Sequence, residues 1–186
     1  GAMYLESAPV HRRDEVAEGI FVLSFVSERI AESVRPGQFL NIRPHSLYDP
    51  FLRRAYSVHR VLGDVVEIIF NVVGRGSAML AAKSTGDSLD VLGPLGVPFH
   101  TDGDFSSAVL VSGGVGIAPM PILATHLVKR GIKVTNVHGA RSAGQVVNDG
   151  RLVNAVFATD DGSYGFHGNV IQALDDTLNS LPVDST

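Results

Sequence analysis

Ala108-Val109-Leu110-Val111-Ser112-Gly113-Gly114-Val115-Gly116-Ile117-Ala118-Pro119 is the stretch on which the reading of this chain turns. Its apolar start suits a strand, its glycines suit a tight turn, and Met120 to Arg130 continues with helical spacing. A strand feeding a glycine-rich turn into a helix start is a ready anion site. Backbone N–H groups point outward there and the helix dipole favours negative charge. The usual dinucleotide fingerprint would place a third glycine where this chain has Pro119. Proline is tolerated in a first helical turn, whose N–H has no intrahelical partner. A second departure follows, because Val134 to Val137 runs into His138-Gly139-Ala140-Arg141-Ser142 with no acid to grip a ribose. The segment reads as a nucleotide site outside the ordinary dehydrogenase pattern.

Downstream, strand and helix signals alternate. Met120, Leu123, Ala124 and Leu127 fall at helical spacing and Gly131 supplies a stop. Strands are expected at Lys133 to Val137 and Val153 to Ala158. A final helix carries Val170, Ala173, Leu174, Thr177, Leu178 and Leu181 on one face. Such alternation predicts a parallel sheet of three strands, with ligands at the carboxyl ends. Ala143-Gly144-Gln145 and Asn148-Asp149-Gly150 interrupt what would be the intervening helix.

Upstream the signal changes to short strands separated by turns. Ile20 to Val26, Gln38 to Ile42, Ala55 to Val61, Val65 to Val73 and Leu89 to Leu92 read as strands. Leu62-Gly63-Asp64 makes a hairpin, and one helix is expected at about Ser77 to Lys83. Arg12-Arg13, followed at once by Asp14-Glu15, reads as a solvated turn. The fold class expected is an antiparallel β-barrel over residues 1–101 followed by a small α/β parallel-sheet domain over 102–186, with 100–104 as linker.

Composition excludes several classes. A net charge of −4 leaves no electrostatic footprint for nucleic acid. No apolar run is long enough to span a bilayer. Gly1-Ala2-Met3 resembles a tag scar, no signal-peptide pattern follows, and a cytoplasmic protein is the simplest expectation. With no cysteine, this chain can hold neither a thiolate nucleophile nor a cysteine-ligated iron–sulfur cluster. Its seven histidines show no HExxH pairing, so no metal site is expected. There is no GxSxG elbow and no Walker lysine.

Three further stretches fall where predicted elements end. In Arg53-Arg54-Ala55-Tyr56-Ser57, a guanidinium, a phenol and a hydroxyl lie along one strand. They suit a pyrophosphate, a flavin or ribose face, and a ring nitrogen, although a solvent-facing strand edge would read the same way. Gly74-Arg75-Gly76-Ser77 repeats the anion-cradling arrangement or is simply a turn. Thr159-Asp160-Asp161-Gly162-Ser163 could meet ribose hydroxyls or cap a turn.

Together these motifs resemble the ferredoxin–NAD(P)H reductase superfamily: RRAYS its flavin motif R-x-Y-S, GRGS its flavin-phosphate motif, and GGVGIAP its GGxGxxP. DPFLRRAYSV, GRGSAMLAAKSTGDSLDVLGPLG and ATDDGSYGFHG look more closely like the electron-transfer subunits of bacterial dihydroorotate dehydrogenase and their relatives, over about Val22 to Leu174. The resemblance implies FAD on the barrel, NAD(P)H on the α/β domain, and a cleft in which nicotinamide meets flavin. By that carry-over Arg54 holds the flavin diphosphate, Ala55, Tyr56 and Ser57 flank the ring, and Phe70, Asn71 and Val72 line the ring or adenosine. Gly74, Gly76 and Ser77 serve the diphosphate. Gly113, Gly114, Gly116 and Ile117 admit the nicotinamide nucleotide, and Pro119 starts the helix. Arg141 sits near the adenosine end, and Asp160 and Asp161 near the ribose or nicotinamide.

No side-chain acid or nucleophile is implied, so no catalytic residue is assigned. The implied function is electron transfer between NAD(P)H, with NAD favoured, and a protein acceptor or donor subunit. Oligomerisation is left open. The cysteine-rich loop and preceding turn of that branch have no counterpart before Thr186, which suggests a nucleotide domain shortened at its C-terminus. That departure motivates an alternative, a noncatalytic FAD-binding or assembly subunit that does not turn over NAD(P)H alone.

Overall fold

The protein is described by a computed structural model covering residues 1–43 and 53–181, so the Asp49-Pro50-Phe51-Leu52 start of the first motif lies outside the described residues. Strands β1 (Tyr4–Ala17), β2 (Ile20–Val26), β3 (Phe39–Arg43), β4 (Arg54–Ser57), β5 (Arg60–Leu62), β6 (Val65–Asn71) and β7 (Ser88–Leu95) form one antiparallel sheet. Their order is β4-β3-β7-β1-β2-β6-β5. The expected strand over 55–61 is split, and the split closes the barrel. Val58 N–H still donates to Gln38 on the β3 side, whereas His59 N–H donates to Glu67 on β6. One short segment therefore crosses from one end of the sheet to the other.

Leu23 and Phe25 of β2 and Val66 and Ile68 of β6 fill the barrel with Leu40, Ile42, Leu89 and Val91. The alternate residues Ile20, Val22 and Ile69 face outward, yet they are buried too. They pack against Ile117, Val147 and Leu152 from the second half of the chain. This explains why 20–26 is apolar at every position but Ser24 rather than alternating: both faces of β2 are covered. Burial of each such side chain stabilises by about 1.5–3 kcal/mol, so the two halves share a substantial joint.

Arg12-Arg13-Asp14-Glu15 is not a solvated turn. These residues lie inside β1, which pairs with β7 through residues 4–9 and with β2 through 10–17. A main-chain ladder holds each half of this strand, β7 along the first and β2 along the second, although many of its side chains are polar and exposed. Arg13 covers the Phe21 ring and donates to the Ala81 carbonyl. Helix α1 (Glu28–Ser33) was not signalled by length; Ser27 caps it and Ile30 is fully buried beneath it. Helix α2 (Gly74–Ala81) begins three residues earlier than expected.

The second sheet is parallel, with β8 (Ser107–Gly113), β9 (Lys133–Ala140), β10 (Ala155–Thr159) and β11 (Phe166–His167) in the order β11-β10-β9-β8. It has four strands rather than the expected three, because the two-residue β11 pairs with the end of β10. Helix α3 (Met120–Lys129) covers Leu110 and Val134 on one face, and α4 (Val170–Ser180) covers Val137 and Ala158 on the other. Inward positions of α4 are Ala173 and Thr177, while Leu178 is 49% exposed and leaves the expected stripe. As anticipated, no α-helix stands between β9 and β10; a single 3₁₀ turn at Ala143–Gln145 is found there.

Candidate functional site

The glycine turn after β8 does not run straight into α3. Gly114–Ile117 forms a 3₁₀ turn, and Pro119 is the cap of α3 rather than a first-turn residue. Ile117 is fully buried against the barrel and pulls this turn toward it. Gly114 has φ +54°, a backbone region that costs an L-residue about 1–2 kcal/mol. Gly113 pairs in register with Gly139 at the end of β9. Two bare backbones thus lie side by side at the carboxyl end of the sheet. A Cβ on Gly139 would lie 2.9 Å from Val170, so this glycine also lets the start of α4 approach.

These elements line a cleft of about 550 Å³. Its sheet side carries Gly113, Gly114, Gly139, Arg141 and Asp160, and its barrel side carries Ile20 and Asn71. Arg141 and Asp160 bring opposite charges to one opening. Asp160 N–H donates to Ala140 and Asp161 N–H to Arg141, which ties the loops after β9 and β10 together. Asp161 itself is turned into that loop. Its Oδ1 accepts from the Ser163 N–H at 3.0 Å and hydroxyl at 2.6 Å, and those bonds hold its carboxyl below the usual carboxylate range.

Asn71, on the cleft, is three residues from the start of α2, where the second group of expected residues gathers. Arg54 is exposed on β4, and its guanidinium lies across Gly76: a Cβ there would be 2.9 Å from Arg54 Nε. No side chain caps α2. Arginine therefore lies over the positive end of a helix, a pairing suited to a phosphate. Ser77 is not available by its side chain. It is buried, accepts from the Val73 N–H at 2.6 Å and donates to the Val73 carbonyl, which shapes the turn through Val72 and Gly74.

Tyr56 and Ser57 are half-buried beside exposed Ala55. The Tyr56 ring stands edge-on to Phe70 at 5.8 Å, and burial raises its phenol pKa while the charge of Arg54 opposes the rise. Phe70 is only 4% exposed and stacks on Phe21, so it supports Tyr56 from the core rather than lining a surface. Val72 and Gly116 are exposed, and Ile117 and Pro119 serve packing and capping.

Sequence reasoning missed Gly139, Gln145 and Val170 on the cleft. Gly139 had a signal, a glycine ending the strand next to the one ended by Gly113. Gln145 and Ile20 had none, because they reach the cleft only through the joint between halves. Beneath the glycine turn, Ser112 Oγ and His138 Nδ1 are 2.9 Å apart and buried, and burial lowers the imidazole pKa. Among the described residues, no group of three or more His, Cys, Asp or Glu side chains could hold a metal ion. No helix among them is long and apolar enough to cross a membrane.

No family model matches the chain. Curated relatives do, and three of them share the name dihydroorotate dehydrogenase B (NAD(+)), electron transfer subunit. The protein of Desulforamulus reducens is 36% identical over 165 residues, covering 86% of this chain and 63% of its own length. That of Geobacillus sp. is 34% identical over 188 residues, covering 97% and 73%. That of Streptococcus pneumoniae is 37% identical over 180 residues, covering 92% and 69%. This chain thus spans somewhat under two thirds of the Desulforamulus relative. Among solved structures, an NADH-dependent reduced ferredoxin-NADP oxidoreductase superposes with TM-score 0.83 at 28% identity, covering 95% of this chain and 64% of that one. A ferredoxin NADP+ reductase from Neisseria gonorrhoeae, with bound FAD and NADP, shares the fold at TM-score 0.76 and 18% identity, covering 98% and 82%. The barrel, the parallel sheet and the sequence identity agree: the chain belongs to the family of dihydroorotate dehydrogenase B electron-transfer subunits, on a ferredoxin reductase-like fold.

Proposed function

We propose that this chain binds FAD on its barrel half, residues 1–101, and NAD(P)H on its α/β half, residues 102–186, and passes electrons between the nucleotide and a protein partner. One observation carries the reading. The bare ends of β8 and β9 at Gly113 and Gly139 face Asn71 and Ile20 of the barrel across one cleft. A dinucleotide laid on the sheet end would therefore present its reactive ring toward the barrel.

The residues fit both groups by this chain's own geometry. Arg54 above Gly76 and the uncapped start of α2 form a cradle for a diphosphate, and a Cβ at Gly76 would intrude on it. Tyr56, backed by Phe70, offers an aromatic face, and Ser57 a hydroxyl beside it. Gly113 and Gly114 admit a phosphate chain to close backbone approach. Asp160 and Arg141 both line the cleft, where Asp160 would accept from ribose hydroxyls and Arg141 would contact the adenosine end. A bound flavin would supply the conversion between two-electron hydride chemistry and single-electron transfer. The protein's own work is positioning and the exclusion of water, with no side-chain acid or nucleophile. The relatives' names favour NAD and a dehydrogenase partner subunit.

The test is an anaerobic visible spectrum of the FAD-reconstituted chain before and after NADH, with NADPH as control. Bleaching of the flavin bands is the expected result. A yellow spectrum unchanged by either nucleotide would replace this reading with a noncatalytic FAD-binding subunit.

A further inference from the structure

His59 lies two residues beyond Ser57 and is fully buried, yet it touches no part of the cleft. All four of its polar groups are used. Its N–H donates to Glu67 in the barrel, and its carbonyl accepts from Ile122 N–H in α3 at 3.0 Å. The ring Nδ1 is 2.7 Å from the Ala118 carbonyl, and Nε2 is 3.0 Å from an Arg151 guanidinium nitrogen. A carbonyl can only accept and a guanidinium can only donate. These partners therefore specify one neutral tautomer, with the proton on Nδ1 and the lone pair on Nε2. Arg151 has only 6% of its side chain exposed and is itself held by Asp149. Three of the four bonds thus cross from the segment that directly follows the strand of Arg54, Tyr56 and Ser57 to the half that carries the glycine turn.

Ala118 closes the 3₁₀ turn Gly114–Ile117 and directly precedes Pro119. We propose that His59 is a positioning residue whose Nδ1–H bond to the Ala118 carbonyl sets the distance between the nicotinamide turn and the flavin strand. The proposal rests on the functional reading above. The apolar joint of Ile20, Val22, Ile69 and Ile117 holds the halves together but is non-directional. A hydrogen bond from a ring packed on all sides has direction, and it fixes the turn along the axis that matters for transfer. This predicts that the two ring bonds are not equivalent in function.

Two variants separate them. In His59→Asn the amide nitrogen replaces Nδ1 and keeps the bond to Ala118, while Arg151 loses its acceptor. In His59→Gln the longer amide reaches toward Arg151 and leaves Ala118 without its donor. Full-length chains loaded with FAD are titrated with NADH anaerobically, separating half-saturation from the limiting rate of bleaching. Both variants should hold FAD like the wild type. The limiting rate should fall by about tenfold or more in His59→Gln and stay within about threefold in His59→Asn, since sub-ångström misplacement acts on the transfer step. Without any cofactor, amide exchange over 118–123 should quicken by about tenfold in His59→Gln alone, with β2 unchanged.

Equal losses in the two variants, or none in either, would overturn the proposal. So would a wild-type ¹⁵N imidazole spectrum with the proton on Nε2, a result that needs neither variant to fold. If the wild type binds FAD but NADH does not bleach it, the functional reading fails instead. The tautomer and exchange measurements then still judge the link between His59 and the turn.

Discussion

Acid should destabilise this protein through His59 before any carboxylate acts. Burial, opposed in part by the hydrogen bond to Ala118, lowers the His59 pKa from 6.5 to about 4; the charges of Arg151 and Arg60 lower it further and that of Glu67 raises it. The folded state therefore binds fewer protons than the unfolded state between those two values, and stability must fall as pH falls through that window. The shift corresponds to about 3 kcal/mol, with about 2 kcal/mol already lost at pH 5, an appreciable part of the 5–15 kcal/mol typical of a domain. Burial is the main cause, and a protonated Nε2 would in addition lose the bond from Arg151 and face a guanidinium. Asp90 and Asp149, whose arginine partners hold their carboxyls low, contribute stability above the unfolded carboxylate pKa. That contribution disappears only as pH falls through their depressed folded values, below the His59 window. Urea unfolding of the wild type and His59→Asn, at half-unit steps from pH 7.5 to pH 4.5, separates this effect from the other histidines. The difference between the two curves should change by about 2 kcal/mol between pH 7 and pH 5 and be flat above pH 7. Parallel curves would refute the buried, neutral imidazole.

Other substitutions probe the cleft and the cradle. Arg54→Ala should weaken FAD binding by about tenfold to a hundredfold, the worth of a charge-assisted phosphate contact, as read by flavin titration. Gly76→Ala should weaken it in the same direction by displacing the Arg54 guanidinium, and unchanged affinity would show that Arg54 is not the anchor. Gly114→Ala should cost about 1–2 kcal/mol from its left-handed backbone and lower both stability and NADH affinity. Gly116 has no such constraint, and a methyl at that position would meet nothing within 4 Å, so Gly116→Ala should fold normally and weaken NADH binding alone. Gly139→Ala should destabilise by about 1–3 kcal/mol in urea, because its methyl meets Val170 at the start of α4.

Local physics made much of this legible. Apolar runs and turn residues located β2, the β5–β6 hairpin at Gly63, and α3 within a residue or two, because each depends on neighbours in sequence. Glycines at Gly74, Gly76 and Gly114 marked where backbone must be bare or left-handed. What failed depended on pairing across the chain. The polar β1 is a strand because β2 and β7 flank it, and β11 exists only because β10 ends beside it.

The sequence alone determined that one half is antiparallel, the other parallel, and that glycine turns stand at the strand ends, since those follow from periodicity and backbone freedom. Only the tertiary structure decided which residues share the cleft. It buried Phe70 and Ile117, turned Ser77 and Asp161 into their own loops, and brought Gly139 and Gln145 to the opening. It also made His59 a tie between halves, because its hydrogen-bond partners lie 59 and 92 positions along the chain. No local pattern can specify contacts at that separation; they arise when two apolar faces of the same sheet each find a core to join.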